Sequence, residues 1–134
     1  PRLGAESLTP GRLGTGAFRG PVTEAYNRRC AIPGERTLPV LDAAHIKPYA
    51  EMGPHLIANG LLLRSDFHIL FDDGYITITD DLRVQVSGKI KEKFENGREY
   101  YQYGDRPLLI TPKHSDERPS PDFLRWHNTE RFLS

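Results

Sequence analysis

Two histidines, an asparagine and an aspartate are spaced along the middle of the chain in a way that suits acid–base and metal chemistry. His45, Asn59 and His68 stand 14 and 9 positions apart, and Asp72 follows His68 by four residues. A neutral imidazole can take a proton from water, because the unperturbed pKa of histidine is about 6.5. On a helix, an imidazole and a carboxylate four residues apart can share one divalent cation. The segment therefore predicts a base and a metal site.

The residues between and around these side chains indicate a definite order of elements. An apolar run over 38–44 predicts a strand with His45 at its end, because a Lys-Pro pair then interrupts regular structure. A loop rich in glycine and proline follows, and the apolar run 61–63 is short enough for a second strand. A helix is expected over 65–72, with Ser65 as its N-cap.

The expected helix has two different stripes. Phe67, Leu70 and Phe71 follow one another at helical spacing, which predicts an apolar face directed into a core. His68 and Asp72 lie on the neighbouring stripe, one turn apart. The polar pair is therefore expected at the rim of the core.

This order of elements and residues closely resembles the ββα-metal fold of the HNH endonucleases. The subgroup it is most similar to has the pattern A-A-H-I-x-P, then N-G-L-x-L, then H-x-L-F-D, which stands here at 43–48, 59–63 and 68–72. The resemblance covers the middle third to half of the chain. It implies an α+β domain with a ββα-metal core, a helix and strand arrangement to which a β-hairpin and flanking helices are added.

The resemblance also implies roles for single residues. His45 matches the general base, Asn59 a catalytic-site asparagine whose amide bridges backbone groups, and His68 a metal ligand. Asp72 falls where several members place a second ligand. Many members carry a further ligand just before the base, where this chain has alanine, so Asp42 is the nearest carboxylate that can replace it.

The implied activity is hydrolysis of DNA by a metal-dependent endonuclease, in the cleavage domain of a restriction or defence enzyme. The cofactor is one divalent cation, with Mg²⁺ or Mn²⁺ favoured and Co²⁺, Ni²⁺ or Zn²⁺ also compatible with a mixed nitrogen and oxygen ligand set. Two alternatives remain open. One is a non-catalytic DNA-binding module stabilised by zinc, and the other is an RNA-directed nuclease or toxin of the same fold.

Composition limits how the chain can bind DNA. With 18 basic and 18 acidic residues the formal net charge is zero, so contact with DNA must come from a local patch. Lys47 lies beside the expected base, and the densest basic cluster stands on a short helix expected over 88–96. The lysines expected to contact DNA are Lys47, Lys89, Lys91 and Lys93.

The length of 134 residues fits one domain, expected as a nuclease domain over 17–134 with its core motif at 38–73. Residues 1–16 are rich in glycine and proline, which indicates a linker or an extended arm. The chain lacks an initiator methionine, which suggests an upstream target-recognition domain. A homodimer is a further hypothesis, because one active site cuts one strand at a time. No apolar run suits a membrane span or signal peptide, so a cytoplasmic protein is expected.

The flanking segments give weaker expectations. A helix is expected over 17–27, beginning near a proline, and a last helix after Ser120. Two alternating runs over 75–79 and 82–86 predict a hairpin that extends the sheet behind the site. The other histidines are expected to have no chemical role, as is usual for a lone histidine: His55, His114 and His127.

Overall fold

The structure is a computed structural model, and it describes the backbone of residues 10–134 and the side chains of residues 17–134. The helices are α1 (Pro10–Ala25), α2 (Ser65–Asp72), α3 (Lys89–Phe94), α4 (Arg98–Tyr101) and α5 (Pro121–Glu130). The strands are β1 (Leu41–His45), β2 (Gly60–Arg64), β3 (Ile76–Ile78) and β4 (Val84–Val86). The expectation of an α+β fold is confirmed.

The strands β1 and β2 form an antiparallel pair that brings the ends of the long loop together. In their register His45 lies opposite Gly60, and Asp42 lies opposite Leu63. Leu61, Leu62 and Leu63 are all buried. Because successive side chains of a strand point to opposite faces, both faces of β2 are covered. The helices α1 and α2 both contact this pair of strands.

The helix α2 follows β2 directly and keeps the two stripes that the sequence predicts. Phe67 and Phe71 are buried, and Leu70 packs partly buried against the same core. The prediction of Ser65 as the N-cap is wrong. The helix begins at Ser65 itself, and the hydroxyl group donates to the carbonyl oxygen of Val40 at 3.0 Å. The serine thus ties the helix to the turn before β1.

The hairpin of β3 and β4 is confirmed, with Ile76 opposite Val86 and Ile78 opposite Val84. The expectation that it extends the first sheet is wrong, because β3 and β4 form a separate two-stranded sheet. Gly74 ends the turn out of α2 with a positive φ of 87°, a conformation that favours glycine. The chain changes direction at this turn, and the hairpin that follows does not pair with β1 or β2.

The helix α1 starts earlier than the sequence suggests. It begins at Pro10, so residues 10–16 are helical and not extended, while the expectation of an arm over 1–9 falls outside the described residues. Pro21 lies within the helix. Val22 and Tyr26 are fully buried, and the Tyr26 hydroxyl donates to the carbonyl oxygen of Gly60 at 2.9 Å. The packing of Val22 and Tyr26 anchors the end of the helix on the strands, and the helix continues from there back to Pro10.

The last helix packs against the hairpin through a buried histidine. His127 is 2% exposed, and its ring nitrogens lie 2.7 Å from the Thr77 hydroxyl and 2.8 Å from the carbonyl oxygen of Phe71. Both nitrogens therefore have partners within the fold. Between residues 10 and 134, no helix is long and apolar enough to cross a membrane.

Candidate active site

His45 occupies the last position of β1, where the strand opens into the loop. Its ring stacks on Phe18 of α1, with centroids 3.9 Å apart and planes within 8°. Gly60 opposite has no side chain, and a Cβ atom there would lie 2.8 Å from the Phe18 ring. The glycine of the Asn-Gly pair thus makes room for the aromatic ring that supports His45.

The Nε2 atom of the His45 ring has another histidine as its partner. The Nε2 atom of His45 lies 2.9 Å from Nδ1 of His55, which stacks on Tyr49 with centroids 4.6 Å apart. Burial of the ring, followed by the nearby His55, lowers the pKa of His45 to about 4. His45 is therefore neutral throughout the physiological pH range, which is the state a proton acceptor needs.

Asn59 holds the loop that carries both histidines. Its side-chain oxygen accepts from the backbone N–H of Lys47, and its side-chain nitrogen donates to the carbonyl oxygens of Lys47 and Pro54, each at 2.9 Å. Lys47 is two residues after His45, and Pro54 directly precedes His55. The buried amide thus joins the two ends of the loop, in the bridging arrangement that the resemblance implies.

Replacing Asn59 with alanine is expected to destabilise the domain as well as slow the reaction. The change leaves part-buried backbone groups of Lys47 and Pro54 without the Asn59 amide, a loss worth about 1 to 3 kcal/mol. For a chain of this size that corresponds to a fall in Tm of roughly 4 to 12 °C, measurable by calorimetry. Asn96→Ala is the matched control, since the exposed Asn96 side chain contacts only its neighbour Gly97. An unchanged Tm in Asn59→Ala would contradict the bridging role.

His68 projects from α2 between two carboxylates. Its Nδ1 atom lies 3.0 Å from Oδ2 of Asp42, and its Nε2 atom lies 3.1 Å from Oδ2 of Asp72. Burial disfavours the charged ring, but the hydrogen bonds to Asp72 and Asp42 outweigh it and raise the pKa of His68. The two carboxylates contact opposite edges of the ring.

The donor set at the Nε2 edge fits a divalent cation. Two neighbouring ligands of an octahedral ion, each about 2.1 Å from the metal, lie about 3.0 Å from each other. The distance of 3.1 Å between His68 Nε2 and Asp72 Oδ2 matches this separation. Among residues 17–134, no group of three histidine, cysteine or acidic side chains forms a ready-made metal site. A cation here would have two protein ligands and open positions.

His45, His68 and Asp72 line one cleft of about 390 Å³ on the surface. The elements that meet there are the end of β1, the following loop, α2 and the end of α5. Arg131, just after α5, supplies a guanidinium group at the rim. The cleft is lined by Ala43, His45, Ile46, Pro48, Tyr49, His68, Asp72, His127 and Arg131.

Comparison with known proteins gives a match for the segment that carries most residues of this cleft. Residues 30–79 match the family model of the HNH endonucleases. Over this segment the chain is similar to the HNH endonucleases. Among solved structures, the chain is similar to a modification-dependent TagI restriction endonuclease, with 25% identity and a TM-score of 0.59. No curated protein matches the chain at a significant level.

The similarity to the restriction endonuclease extends beyond the HNH segment. It covers 83% of this chain but 36% of the other protein, so the chain spans about a third of that relative's length. The HNH segment runs from before β1 to the end of β3, and it contains every side chain of the predicted catalytic and metal sets. The family and the structural neighbour together support a nuclease.

Two residues were not predicted to belong to the site: His55, which contacts His45, and Arg131, which lines the cleft. His55 belongs to the HNH segment but was interpreted as a histidine without a role, because the pattern assigns no position to it. A Gly-Pro-His sequence inside the motif segment was the available signal. Arg131 lies far from the motif in the sequence, and no pattern connects it to the cleft.

The predicted DNA-binding lysines divide into two groups. Lys47 lies in the loop, with Nζ 5.8 Å from the centre of the Trp126 ring. The lysines of α3 do not line the cleft. Lys89 forms an ion pair with Glu92 at 3.4 Å, and Lys93 lies over the Tyr75 ring. A DNA-binding role for Lys89, Lys91 and Lys93 therefore stays a prediction.

Proposed function

We propose that this chain is the cleavage domain of an enzyme that hydrolyses DNA phosphodiester bonds. The observation that carries the proposal is the cleft in which a neutral, partly buried histidine faces a histidine and aspartate pair suited to a cation. The base and the cation site stand on different elements, β1 and α2. A phosphate group that enters between them has a proton acceptor on one side and positive charge on the other.

His45 accepts the proton of the attacking water at Nδ1. The other nitrogen is engaged with His55, and Nδ1 has no hydrogen-bond partner within the described part of the chain. The water oxygen then forms a bond to phosphorus while the bond to the 3′ oxygen breaks. Loss of a positioned base of this kind typically slows a reaction by about 10² to 10⁴.

His68 Nε2 and Asp72 are the groups that would hold a divalent cation. When bound, such an ion supplies positive charge that stabilises the additional negative charge on the phosphate during hydrolysis. Asp42 accepts from the opposite nitrogen of the ring, Nδ1, at 3.0 Å. We assign it as a positioning residue for His68 and not as a direct ligand, because a carboxylate at this place fixes the orientation and tautomer of a ligating imidazole.

Two cations beside Trp126 form a basic patch, and one of them lines the cleft. Arg131 lies over the Trp126 ring at 4.8 Å, and Lys47 lies over it at 5.8 Å. Arg131 has an ion pair with Glu51 only at 3.9 Å. A weak pair of this length leaves the guanidinium group able to contact a phosphate oxygen of DNA. We therefore assign DNA backbone contacts to Arg131 and Lys47.

Replacing Arg131 with glutamine is expected to weaken DNA binding without altering the chemical step. Loss of one phosphate contact lowers the slope of log affinity against log salt concentration by about one. Fluorescence anisotropy at several salt concentrations measures this slope. Arg125→Gln is the control, because Arg125 lies in α5 close to Arg131 in the sequence but pairs with Asp122 at 3.0 Å and does not line the cleft. Equal slopes in both variants would reject the contact.

The biological setting follows from the partial coverage of the structural neighbour, which is named as a modification-dependent restriction endonuclease. We propose that this chain likewise works together with a domain that recognises the target. A homodimer is the corresponding proposal for cutting both strands, tested by sedimentation with and without DNA. A strict monomer that only nicks one strand would contradict it.

One assay separates this function from the two alternatives. The chain is incubated with DNA and with RNA of the same sequence, in the presence of each divalent metal in turn. Cleavage of DNA with Mg²⁺ or Mn²⁺, abolished by a chelator, supports the proposal. Cleavage of RNA alone favours the RNA-directed nuclease, and metal-dependent DNA binding without cleavage favours the zinc-stabilised module. The pair of protein ligands at His68 and Asp72 argues against that module, since structural zinc takes four.

A further inference from the structure

The pair formed by His45 and His55 has a property that the HNH pattern does not describe. The two rings meet nitrogen to nitrogen, His45 Nε2 to His55 Nδ1, at 2.9 Å. The rings stand at a steep angle of 64°, so the contact is directed through the nitrogens and is not a stacking contact. A hydrogen bond of this kind contains one proton, and either ring can be its donor.

Whether His45 can act as a base depends on which of the two rings carries that proton. If His55 donates, His45 accepts at Nε2 and carries its own proton on Nδ1, so it has no free lone pair for a proton from water. If His45 donates, its Nδ1 atom stays basic toward the cleft. The second arrangement is therefore the one that the proposed reaction requires, and it needs an acceptor at the place of His55 Nδ1.

The surroundings hold His55 in that place. Tyr49 stacks on one face of its ring, and Phe18 supports the ring of His45. The Asn59 amide binds the carbonyl oxygen of Pro54, which directly precedes His55. The Nε2 atom of His55 is buried without a partner in the part of the chain that the structure describes. When Nδ1 of His55 accepts a hydrogen bond, the neutral ring carries its own proton on this Nε2 atom.

We propose that His55 is a positioning residue that accepts the Nε2 proton of His45 and thereby keeps Nδ1 of His45 free to receive a proton from water. His55 thus fixes the tautomer of the base, as Asp42 is proposed to fix that of His68. As the base gains its proton, the bond to His55 strengthens, because a hydrogen bond from a charged donor is stronger than one from a neutral donor. The inference rests on the proposed function of His45.

The first test is a direct reading of the tautomer. The chain labelled with ¹⁵N at histidine is examined by long-range ¹H–¹⁵N NMR at neutral pH, without DNA. His45 is expected as the tautomer with its proton on Nε2, assigned by comparison with His45→Phe. In His55→Phe, which keeps a ring against Tyr49 but has no acceptor, the signals of His45 are expected to shift toward a mixture of tautomers. A proton on Nδ1 of His45 in the wild type would overturn the proposal.

The second test is kinetic. His55→Phe is expected to lower kcat by about 10- to 100-fold, the size usual for loss of an orienting partner, with KM for DNA and affinity for Mn²⁺ unchanged. His55→Asn, whose side-chain oxygen can accept a hydrogen bond at nearly the same place, is expected to recover much of the rate. His114→Phe is the control, since His114 is exposed and outside the cleft. A normal kcat in His55→Phe would overturn the proposal.

The two tests also separate failure of this inference from failure of the proposed function. If the wild-type chain cleaves no nucleic acid with any metal, the proposed function is rejected, while the NMR spectra still decide whether His55 accepts from His45. If the chain cleaves DNA but the tautomer or the rate of His55→Phe contradicts expectation, only the role of His55 is rejected.

Discussion

Replacing His45 with alanine is expected to lower the rate of DNA cleavage by about 10² to 10⁴, as for any reaction that loses a positioned general base. Affinity for the metal and for DNA is expected to stay within about twofold, since the ring contacts His55 and Phe18 and no proposed ligand. Single-turnover cleavage with excess enzyme measures the chemical step, and calorimetry with Mn²⁺ measures metal affinity. The separation of these two quantities tests the assignment of base and ligand.

The stacked position of His45 makes a second variant necessary. His45→Phe keeps an aromatic ring on Phe18 and removes both nitrogens, so it separates loss of the base from loss of packing. Both variants are expected to lose cleavage to the same extent, while His45→Phe keeps the wild-type Tm. If His45→Ala loses metal affinity together with activity, His45 is a ligand and the proposed mechanism is wrong.

The pH dependence of the wild-type rate is an independent check on His45. Burial and the neighbouring His55 lower its pKa to about 4, so the neutral, basic form predominates from pH 6 upward. The rate is then nearly constant between pH 6 and 8 at saturating metal. A base with the ordinary pKa of about 6.5 would instead give a rise of about fourfold over that interval. A fourfold rise in the wild-type rate that is missing from the residual activity of His45→Phe would contradict the lowered pKa of His45.

The sequence predicts those parts of the site that depend on short-range pattern. His68 and Asp72 are one turn apart on a helix whose apolar stripe defines its orientation, and His45 ends a strand that a Lys-Pro pair terminates. Each of these positions follows from residues within a few places in the sequence. The pairing of β1 with β2 then places His45 opposite Gly60, because the loop returns directly to the first strand.

The parts that the sequence does not predict depend on contacts across the fold. His55 lies in a loop without periodicity, and its position is set by the Asn59 amide and by stacking on Tyr49. Arg131 reaches the cleft because α5 packs on the hairpin, after Gly74 has turned the chain. A Cβ atom at Gly74 would lie 2.1 Å from the carbonyl oxygen of Arg131, so this approach requires glycine. The local sequence therefore does not determine either arrangement.

Replacing His68 with alanine is the second change with a large expected effect. The variant is expected to lose Mn²⁺ affinity and cleavage together, each by more than about a hundredfold, because the ring is one of the two proposed protein ligands and no group of three ligands in residues 17–134 takes its place. Titration calorimetry and single-turnover cleavage at several metal concentrations measure the two losses. If excess Mn²⁺ restores much of the rate, the loss is in binding of the ion and not in the fold.

The two carboxylates beside His68 allow ligand and positioning roles to be distinguished. Asp72→Asn is expected to weaken Mn²⁺ binding nearly as much as His68→Ala, because Asp72 lies at the Nε2 edge of the ring, where the cation is proposed to bind. Asp42→Asn keeps an acceptor for the Nδ1 proton and is expected to lower Mn²⁺ affinity by at most about 10- to 100-fold. Asp73→Asn is the control, since this exposed neighbour has no contact with the ring. If Asp42→Asn proves as damaging as Asp72→Asn, Asp42 binds the ion directly, and the orienting partner of His68 has been assigned wrongly.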